Sequence, residues 1–180
     1  MSAQERVLLV DEQDRVIGTE EKLKAHQLGL LHRAFSVFIY RTVGTQREFL
    51  LQQRHEDKYH CGGLWTNTCC SHPRLGENVV AAAERRLWEE MSLDLSLTRL
   101  GCFYYKAAFE NGLTEHELDH VLIGEYDPSQ PIILDPEETQ DFRWISEAAL
   151  TEELSQYPER FTPWFLPALK MVQNLTLANI

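Results

Sequence analysis

The sequence places two glutamates two residues apart in a segment that is predicted to form a strand. Residues 105–120 read YKAAFENGLTEHELDH, in which Glu115 and Glu117 flank His116. On a strand, side chains two residues apart point to the same face of the sheet. Like charges so close are unfavourable unless a cation or a proton lies between them. The spacing therefore predicts either a site that holds a cation or a proton, or an exposed acidic edge strand.

A second segment, residues 65–76, reads WTNTCCSHPRLG and places Cys70 two residues before His72. Neighbouring residues of an extended chain point in opposite directions, so Cys69 and Cys70 are predicted to face different sides. Two further histidines occur earlier in the chain, His26 and His32. Imidazole and carboxylate ligands together suit Zn²⁺ or Mn²⁺. A single histidine is more often an ordinary structural residue than a metal ligand, and a single cysteine is interpreted as a buried structural thiol.

Residues 76–93, GENVVAAAERRLWEEMSL, predict a helix that Asn78 caps and that spans residues 79–91. Its apolar residues recur at helical spacing and predict a buried stripe of Val80, Ala83, Leu87 and Met91. Glu89 and Glu90 are predicted to lie on the exposed side, with Arg86 one turn from Glu90. Taken alone, this side of the helix is interpreted as a solvated, salt-bridged face.

The composition excludes several classes of function. The chain has 180 residues, of which 43% are hydrophobic and 25% charged, and its formal net charge is −11. Such a surface repels nucleic acid and anionic lipid, so neither is a predicted partner, and an anionic small molecule would need a local basic cluster. No apolar run approaches the roughly 20 residues of a membrane helix, and no signal peptide is recognised. We therefore expect a cytoplasmic protein with reduced cysteines.

The remaining pattern predicts a mixed α+β fold in a single domain of residues 1–180. A hairpin is expected over residues 6–18 and a short helix over 20–27. Further strands are expected over residues 34–40, 48–53, 64–70, 102–107, 118–126 and 141–145, and further helices over 146–154 and 162–174. Mixed strands with few helices indicate an α/β sandwich around a mixed sheet. The tryptophans Trp65, Trp88 and Trp144 are predicted to be core residues.

Residues 71–93 resemble a degenerate Nudix box, the pattern G-x5-E-x7-R-E-U-x-E-E-x-G-U. Glu77, Arg85, Glu89 and Glu90 match it. Three positions depart from it, because Ser71 and Ser92 replace glycines and Arg86 replaces a glutamate. The resemblance implies a Nudix-like mixed sheet flanked by helices, with Glu90 holding Mg²⁺ against a diphosphate. The arginine removes a ligand charge that hydrolysis by such enzymes uses, and it can grip a phosphate instead.

Residues 65–76 closely resemble the T-N-x-x-C-x-H-P segment of type 1 isopentenyl-diphosphate isomerases, and the resemblance extends from about residue 20 to 164. It implies that the chain is an isomerase that interconverts isopentenyl and dimethylallyl diphosphate through a tertiary carbocation, in isoprenoid biosynthesis. By this resemblance the catalytic residues are Cys70, Glu117, Tyr105 and Trp164. The implied ligands of one Mn²⁺ or Zn²⁺ are His26, His32, His72, Glu115 and Glu117. The implied diphosphate-binding residues are Lys22, Arg54, Lys58 and Arg86.

The resemblance further implies a small-molecule diphosphate substrate, a monomer or homodimer, and no flavin or nucleotide cofactor. Two other interpretations remain open from the sequence. The matching glutamates also suit a Nudix hydrolase acting on a nucleoside diphosphate derivative, and the fold also suits a metal-binding module without catalysis. His55, His60, His116 and His120 match no site position, and His116 and His120 are predicted to lie on the face opposite the glutamates.

Overall fold

The computed structural model of the chain describes residues 5–177. Within this range the strands are β1 (Arg6–Val10), β2 (Val16–Glu21), β3 (His32–Val43), β4 (Gln46–Arg54), β5 (Trp65–Thr66), β6 (Cys69–Ser71), β7 (Thr98–Ala108), β8 (Thr114–Glu125) and β9 (Thr139–Ser146). The helices are α1 (Lys22–Leu28), α2 (Val79–Met91), α3 (Glu147–Gln156) and α4 (Phe165–Leu177), with a short 3-10 turn at Pro158–Arg160. Each predicted strand and helix has a counterpart here with bounds that differ by a few residues, except that the strand predicted over residues 64–70 is divided into β5 and β6, which pair with different strands.

The strands form one mixed sheet with β3 at its centre. One edge of β3 pairs in parallel with β8 along nine residues, and β7 continues the sheet antiparallel to β8. The other edge pairs antiparallel with β1, β6 and β4 in turn along the strand. Beyond these, β2 pairs with β1, and both β5 and β9 pair with β4. Among the named strands of residues 5–177, β3 and β8 pair in parallel and the other pairs are antiparallel, which confirms the predicted mixed sheet.

Alternating side chains of the central strands feed two apolar clusters, one on each face of the sheet. Leu50 and Leu122 pack with α2 on one face. Phe49 and Val121, their neighbours along the chain, pack with α3 and α4 on the other. Because helices cover both faces, the architecture is the α/β sandwich that the sequence predicted.

Helix α2 begins and ends at the predicted residues. The side chain of Asn78 accepts a hydrogen bond of 2.8 Å from the backbone N–H of Ala81, which caps the first turn. Ser92 ends the helix with φ 58° and ψ 32°, and its N–H donates to the carbonyl of Trp88. This left-handed cap is the position where the Nudix pattern has a glycine, the residue that adopts it without steric cost.

Two predictions about this helix are wrong. Trp88 is 57% exposed rather than in the core, because it shares the outward face with Ala81, seven residues earlier. Glu90 is only 3% exposed rather than on the solvent side. It lies three residues after Leu87, so helical spacing turns it toward the buried stripe. Ala83, Leu87 and Met91 of that stripe are fully buried, as predicted.

Within residues 5–177, none of the helices has the length and apolarity needed to cross a membrane.

Candidate functional site

The site lies on the face of the sheet that α4 covers, near the start of that helix. The buried residues Glu115, Glu117 and Asp119 alternate along β8 on the side that Val121 presents to the α4 cluster. They line a cavity together with Cys70 and Trp164. His116 and His120 point to the opposite face, where His120 contacts Asp14 at 2.9 Å. This alternation confirms that Glu115 and Glu117 point to the same face of one strand.

Short connections bring three histidines to the two glutamates. His26 lies in α1, which Gly29 ends in a left-handed conformation (φ 64°), and the chain then enters β3 at His32. In the parallel pairing His32 is opposite Glu117, and His72 follows directly after β6. The rings of His26 and His32 are 5.1 Å apart, as are those of His32 and His72.

These histidines present nitrogen atoms toward the carboxylates. Nε2 of His26 lies 3.8 Å from Oε1 of Glu115, and Nε2 of His32 and of His72 lie 3.5 and 3.4 Å from Oε1 of Glu117. Ligand atoms from His26, His32, His72 and Glu117 all lie within 4.8 Å of one another. A second such group, His26, His60 and Glu115, overlaps the first.

The outer nitrogens of two of these rings are fixed by the backbone. Nδ1 of His26 is 2.7 Å from the carbonyl of Lys22, and Nδ1 of His32 is 2.8 Å from that of Leu30. Since a carbonyl only accepts hydrogen bonds, both Nδ1 atoms carry a proton, so each ring in its neutral form keeps its lone pair on Nε2. Within residues 5–177 these two buried Nε2 atoms have no hydrogen-bond partner. Orphaned lone pairs beside carboxylates, with the far nitrogen held by a carbonyl, fit a divalent cation.

The charges of the buried carboxylates are set by these neighbours. Burial acts to raise the pKa of Glu117, but the neighbouring imidazoles of His32 and His72 hold it well below its usual value. Burial and Glu117 act to raise the pKa of Glu115, yet the neighbouring imidazoles of His26 and His60 hold it below the usual range. Burial lowers the pKa of His72 to about 4. Burial acts to lower the pKa of His32, but Glu117 raises it. The metal-free cluster therefore combines ionised carboxylates with a neutral His72, and a bound cation would have to displace any proton held by His32.

Asp119 is a third buried acid that the sequence analysis did not single out. Oδ2 accepts a hydrogen bond of 2.8 Å from the hydroxyl of Ser36, and Oδ1 is buried without a partner in the described part of the chain. Burial and the neighbouring charge of Glu117 raise the pKa of Asp119 well above its usual value. Its position two residues after Glu117 on a strand was a signal for finding it.

The thiol of Cys70 lies in a ring of polar groups at the cavity. The strand β6 pairs Cys70 with Ser36 of β3 and sends Cys69 into the opposite apolar cluster, where it is fully buried. The thiol donates to Oδ1 of Asn67 at 3.0 Å and accepts from the indole N–H of Trp164 at 3.2 Å. Burial raises the pKa of Cys70 to about 12, so the resting thiol is neutral and its thiolate is strongly basic.

Two aromatic residues lie near the thiol of Cys70. Trp164, in the turn before α4, is 4% exposed, and its ring lies 6.4 Å from that of Tyr105 in an edge-on arrangement. Tyr105 is opposite Glu117 in the β7–β8 pairing, and its hydroxyl is buried without a partner among residues 5–177. Burial raises the pKa of Tyr105 well above its usual value. The predicted acid Glu117, base Cys70 and aromatic residue Trp164 therefore line one cavity, and Tyr105 lies next to Trp164.

The same cavity is lined by the four predicted phosphate-binding cations: Lys22, Arg54, Lys58 and Arg86. Carboxylates accompany three of them. Lys22 pairs with Glu5 at 3.2 Å, Lys58 pairs with Glu138, and Arg86 lies 3.6 Å from Glu138. Glu138 was not predicted, because it comes from an irregular segment before β9 with no spacing pattern.

Glu90 reaches the same cavity from α2. Its Oε1 accepts from Arg86 at 3.1 Å, and its Oε2 is buried without a hydrogen-bond partner among the described residues. Burial raises the pKa of Glu90. The other two matching glutamates of the Nudix pattern are both bonded to Arg85, Glu77 at 2.7 Å and Glu89 at 3.0 Å. Only Glu90 of this set therefore faces the cavity.

Comparison with known proteins relates the chain to one family. The NUDIX domain model matches residues 30–165. The chain is 51% identical over 172 residues to the isopentenyl-diphosphate Delta-isomerase of Aliivibrio fischeri (strain MJ11), covering 93% of this chain and 94% of the relative. It is 49% identical over 176 residues to that of Photobacterium profundum, covering 97% of both. Among solved structures, DR0079 from Deinococcus radiodurans matches with a TM-score of 0.67 at 19% identity, covering 85% of this chain and 90% of that one.

Proposed function

This chain belongs to the NUDIX family and, within it, to the isopentenyl-diphosphate Delta-isomerases, and we propose that the cavity around Cys70 and Glu117 is its active site. The enzyme interconverts isopentenyl diphosphate and dimethylallyl diphosphate in isoprenoid biosynthesis. The reaction adds a proton to an unactivated alkene and removes one from a neighbouring carbon. It needs an acid, a base and a site without water, because water traps a carbocation. The single observation that carries the proposal is that a thiol and a buried carboxylate line the same cavity.

Glu117 is the proposed acid that protonates the alkene, with Tyr105 beside it on β7. A carboxyl group whose pKa is held low is a strong donor once it is protonated, which suits a poorly basic alkene. Cys70 is the proposed base, because burial makes its thiolate strongly basic. The forward reaction starts with the proton on Glu117 and a thiolate at Cys70, and it leaves an ionised Glu117 and a Cys70 thiol. Glu117 must then take up a proton and Cys70 must release one before the next forward turnover, whereas in the reverse reaction the thiol donates directly.

Trp164 is proposed to stabilise the carbocation with the face of its ring. Its indole N–H is engaged by the thiol, so the ring is held in place next to the proposed base. An indole attracts a desolvated cation without offering a nucleophile that reacts with it. Trp164 is only 4% exposed, so its ring presents little surface to bulk water.

The residues around the cavity fit divalent cations at two positions. At the first, His26, His32, His72, Glu115 and Glu117 are the proposed ligands of Mn²⁺ or Zn²⁺, which would supply positive charge that makes a protonated Glu117 more acidic. At the second, Glu90 is the proposed partner of Mg²⁺, which would neutralise charge on the diphosphate. The proposed role of Lys22, Arg54, Lys58 and Arg86 is to bind the phosphate oxygens directly.

The broader organisation stays a prediction: a single domain of residues 1–180, located in the cytoplasm, as a monomer or homodimer. A hydrolytic activity is disfavoured by the contacts of α2. Arg86 stands where the Nudix pattern has a glutamate, and it bonds to Glu90, so this chain lacks a carboxylate that a hydrolase uses for several metal ions.

The test is incubation of the purified chain with isopentenyl diphosphate and Mg²⁺, followed by analysis of the isoprenoid products and of released phosphate. We expect dimethylallyl diphosphate without phosphate release, and loss of product after treatment with a chelator that is reversed by added divalent cation. The variant Glu117→Gln should be inactive. Phosphate or nucleotide release from a panel of diphosphates, without isomerisation, would contradict the proposal.

A further inference from the structure

His60 is a fourth histidine at the metal cluster, outside the set that the family resemblance implies. It lies in the loop between β4 and β5 and is 9% exposed. Its Nε2 contacts Oε1 of Glu115 directly. An ionised carboxylate only accepts hydrogen bonds, so the nitrogen that contacts it carries the hydrogen. His60 therefore donates to Glu115, rather than offering a lone pair at this nitrogen.

This contact anchors the carboxylate of Glu115, whose Oε1 also lies 3.8 Å from Nε2 of His26. Oε1 is engaged by His60, whereas Oε2 is buried and has no hydrogen-bond partner within residues 5–177. A buried carboxylate oxygen without a partner is costly unless something else satisfies it. His26 belongs to both possible ligand groups, but its Nδ1 is committed to the carbonyl of Lys22. It thus offers one lone pair, and the two groups describe one cation rather than two.

The surroundings of His60 hold its ring in this orientation. The ring of Tyr59 stacks on it at 4.6 Å, and that of Phe109 packs against it at 5.2 Å. The backbone is anchored as well. Arg54 donates to the carbonyl of His60 at 3.2 Å, and the Asn111 side chain donates to the carbonyl of Tyr59 at 2.6 Å. A ring confined by packing and an anchored backbone aims its N–H at a fixed point, as a supporting residue of a metal ligand must.

We propose that His60 is a positioning residue of the metal centre, which holds the carboxylate of Glu115 in place beside the cation. Ligating carboxylates are commonly hydrogen-bonded by residues that do not touch the metal, and those residues tune its affinity. The inference rests on the cation site of the proposed function and adds a residue to it.

The experiment measures the affinity of the metal-stripped protein for Zn²⁺ and Mn²⁺ in competition with a chromophoric chelator, without substrate. His60→Phe keeps a ring for packing but removes the N–H, whereas His60→Gln restores a donor. We expect His60→Phe to weaken binding by about 10- to 100-fold and His60→Gln to remain within about threefold of the original chain. His55→Phe, on the same loop but outside the cluster, is the matched control and should bind normally. Circular dichroism of the metal-free variants checks that each is folded.

Two outcomes would overturn the inference. If His60→Phe bound the cations as tightly as the original chain, the hydrogen bond to Glu115 would not matter for the metal. If His60→Gln bound as weakly as His60→Phe, a donor at this position would be insufficient. Absence of any divalent cation binding by the original chain would instead refute the proposed metal centre itself. Because substrate is not used, a failure of isomerase activity leaves this measurement unaffected.

Discussion

The ring of Trp164 carries a quantitative prediction about the carbocation. In the structure the guanidinium carbon of Arg54 already lies 5.3 Å from the ring centroid, so this ring face is exposed to positive charge within the cavity. A desolvated cation over an indole gains about 2 kcal/mol, which corresponds to roughly a thirtyfold effect on rate. Trp164→Leu should therefore lower kcat by about thirtyfold. The KM should change much less, because the substrate acquires the positive charge only during reaction.

The variant Trp164→Phe separates the ring face from the indole N–H that bonds to Cys70. It keeps an aromatic face and should lose less activity than Trp164→Leu. Steady-state kcat and KM are measured at saturating metal. The folded fraction is checked by circular dichroism, since removing most of a buried ring costs about 3 kcal/mol of stability. If Trp164→Leu kept kcat within about threefold, the ring would not stabilise the cation. If Trp164→Phe were as slow as Trp164→Leu, the N–H contact with sulfur would be the important one.

Three further predictions concern the thiols, a helix cap and acid stability. Cys70→Ala should abolish product formation with an unchanged circular dichroism spectrum, whereas Cys69→Ser should stay active; the opposite result would mean that the wrong cysteine was identified. Ser92→Gly should raise the free energy of unfolding in urea by roughly 0.5–1 kcal/mol, because a left-handed serine is strained and glycine is not; an unchanged or lower value would contradict this. Burial lowers the pKa of His72 from 6.5 to about 4. Between pH 6.5 and about 4, His72 therefore binds a proton in the unfolded chain but not in the folded, metal-free protein. The free energy of unfolding should fall by up to ~3 kcal/mol as the pH decreases through this range. His72→Gln should flatten that part of the stability profile, and an unaltered slope would refute the assignment.

Helix α2 and the strands were predictable because their signals are local. An asparagine cap, four apolar residues at helical spacing and a stop near Ser92 are all readable from a short window. The same holds for the alternation that places Glu115 and Glu117 on one face of β8. The two errors on α2 came from expectations about residue type. A tryptophan was assigned to the core and a glutamate to solvent, although helical spacing places Trp88 outward and Glu90 inward.

The residues that sequence reasoning missed come mostly from irregular segments. His60 and Glu138 lie in loops, where no periodicity says which way a side chain points. Their positions depend on long-range anchors, such as the hydrogen bond from Asn111 to the carbonyl of Tyr59. Contacts between residues some fifty positions apart leave no trace in a local pattern. Asp119 is different, because it continues the alternation of β8 and was accessible to the same argument as the glutamates.

The charge of the cavity favours the proposed divalent cations as partners of an anionic substrate. Its lining combines four basic residues with five acidic ones, Glu90, Glu115, Glu117, Asp119 and Glu138. Two of the basic side chains, Lys58 and Arg86, already share Glu138, so the local cluster does not by itself reverse the net charge of −11. Buried carboxylates repel a diphosphate unless compensating charge lies close by, since distant charges are screened. Cations at the histidine cluster and at Glu90 would supply that positive charge at two positions in the cavity. The proposed cations would therefore have two effects. They would make a protonated Glu117 more acidic, and they would offset the carboxylates that repel the diphosphate.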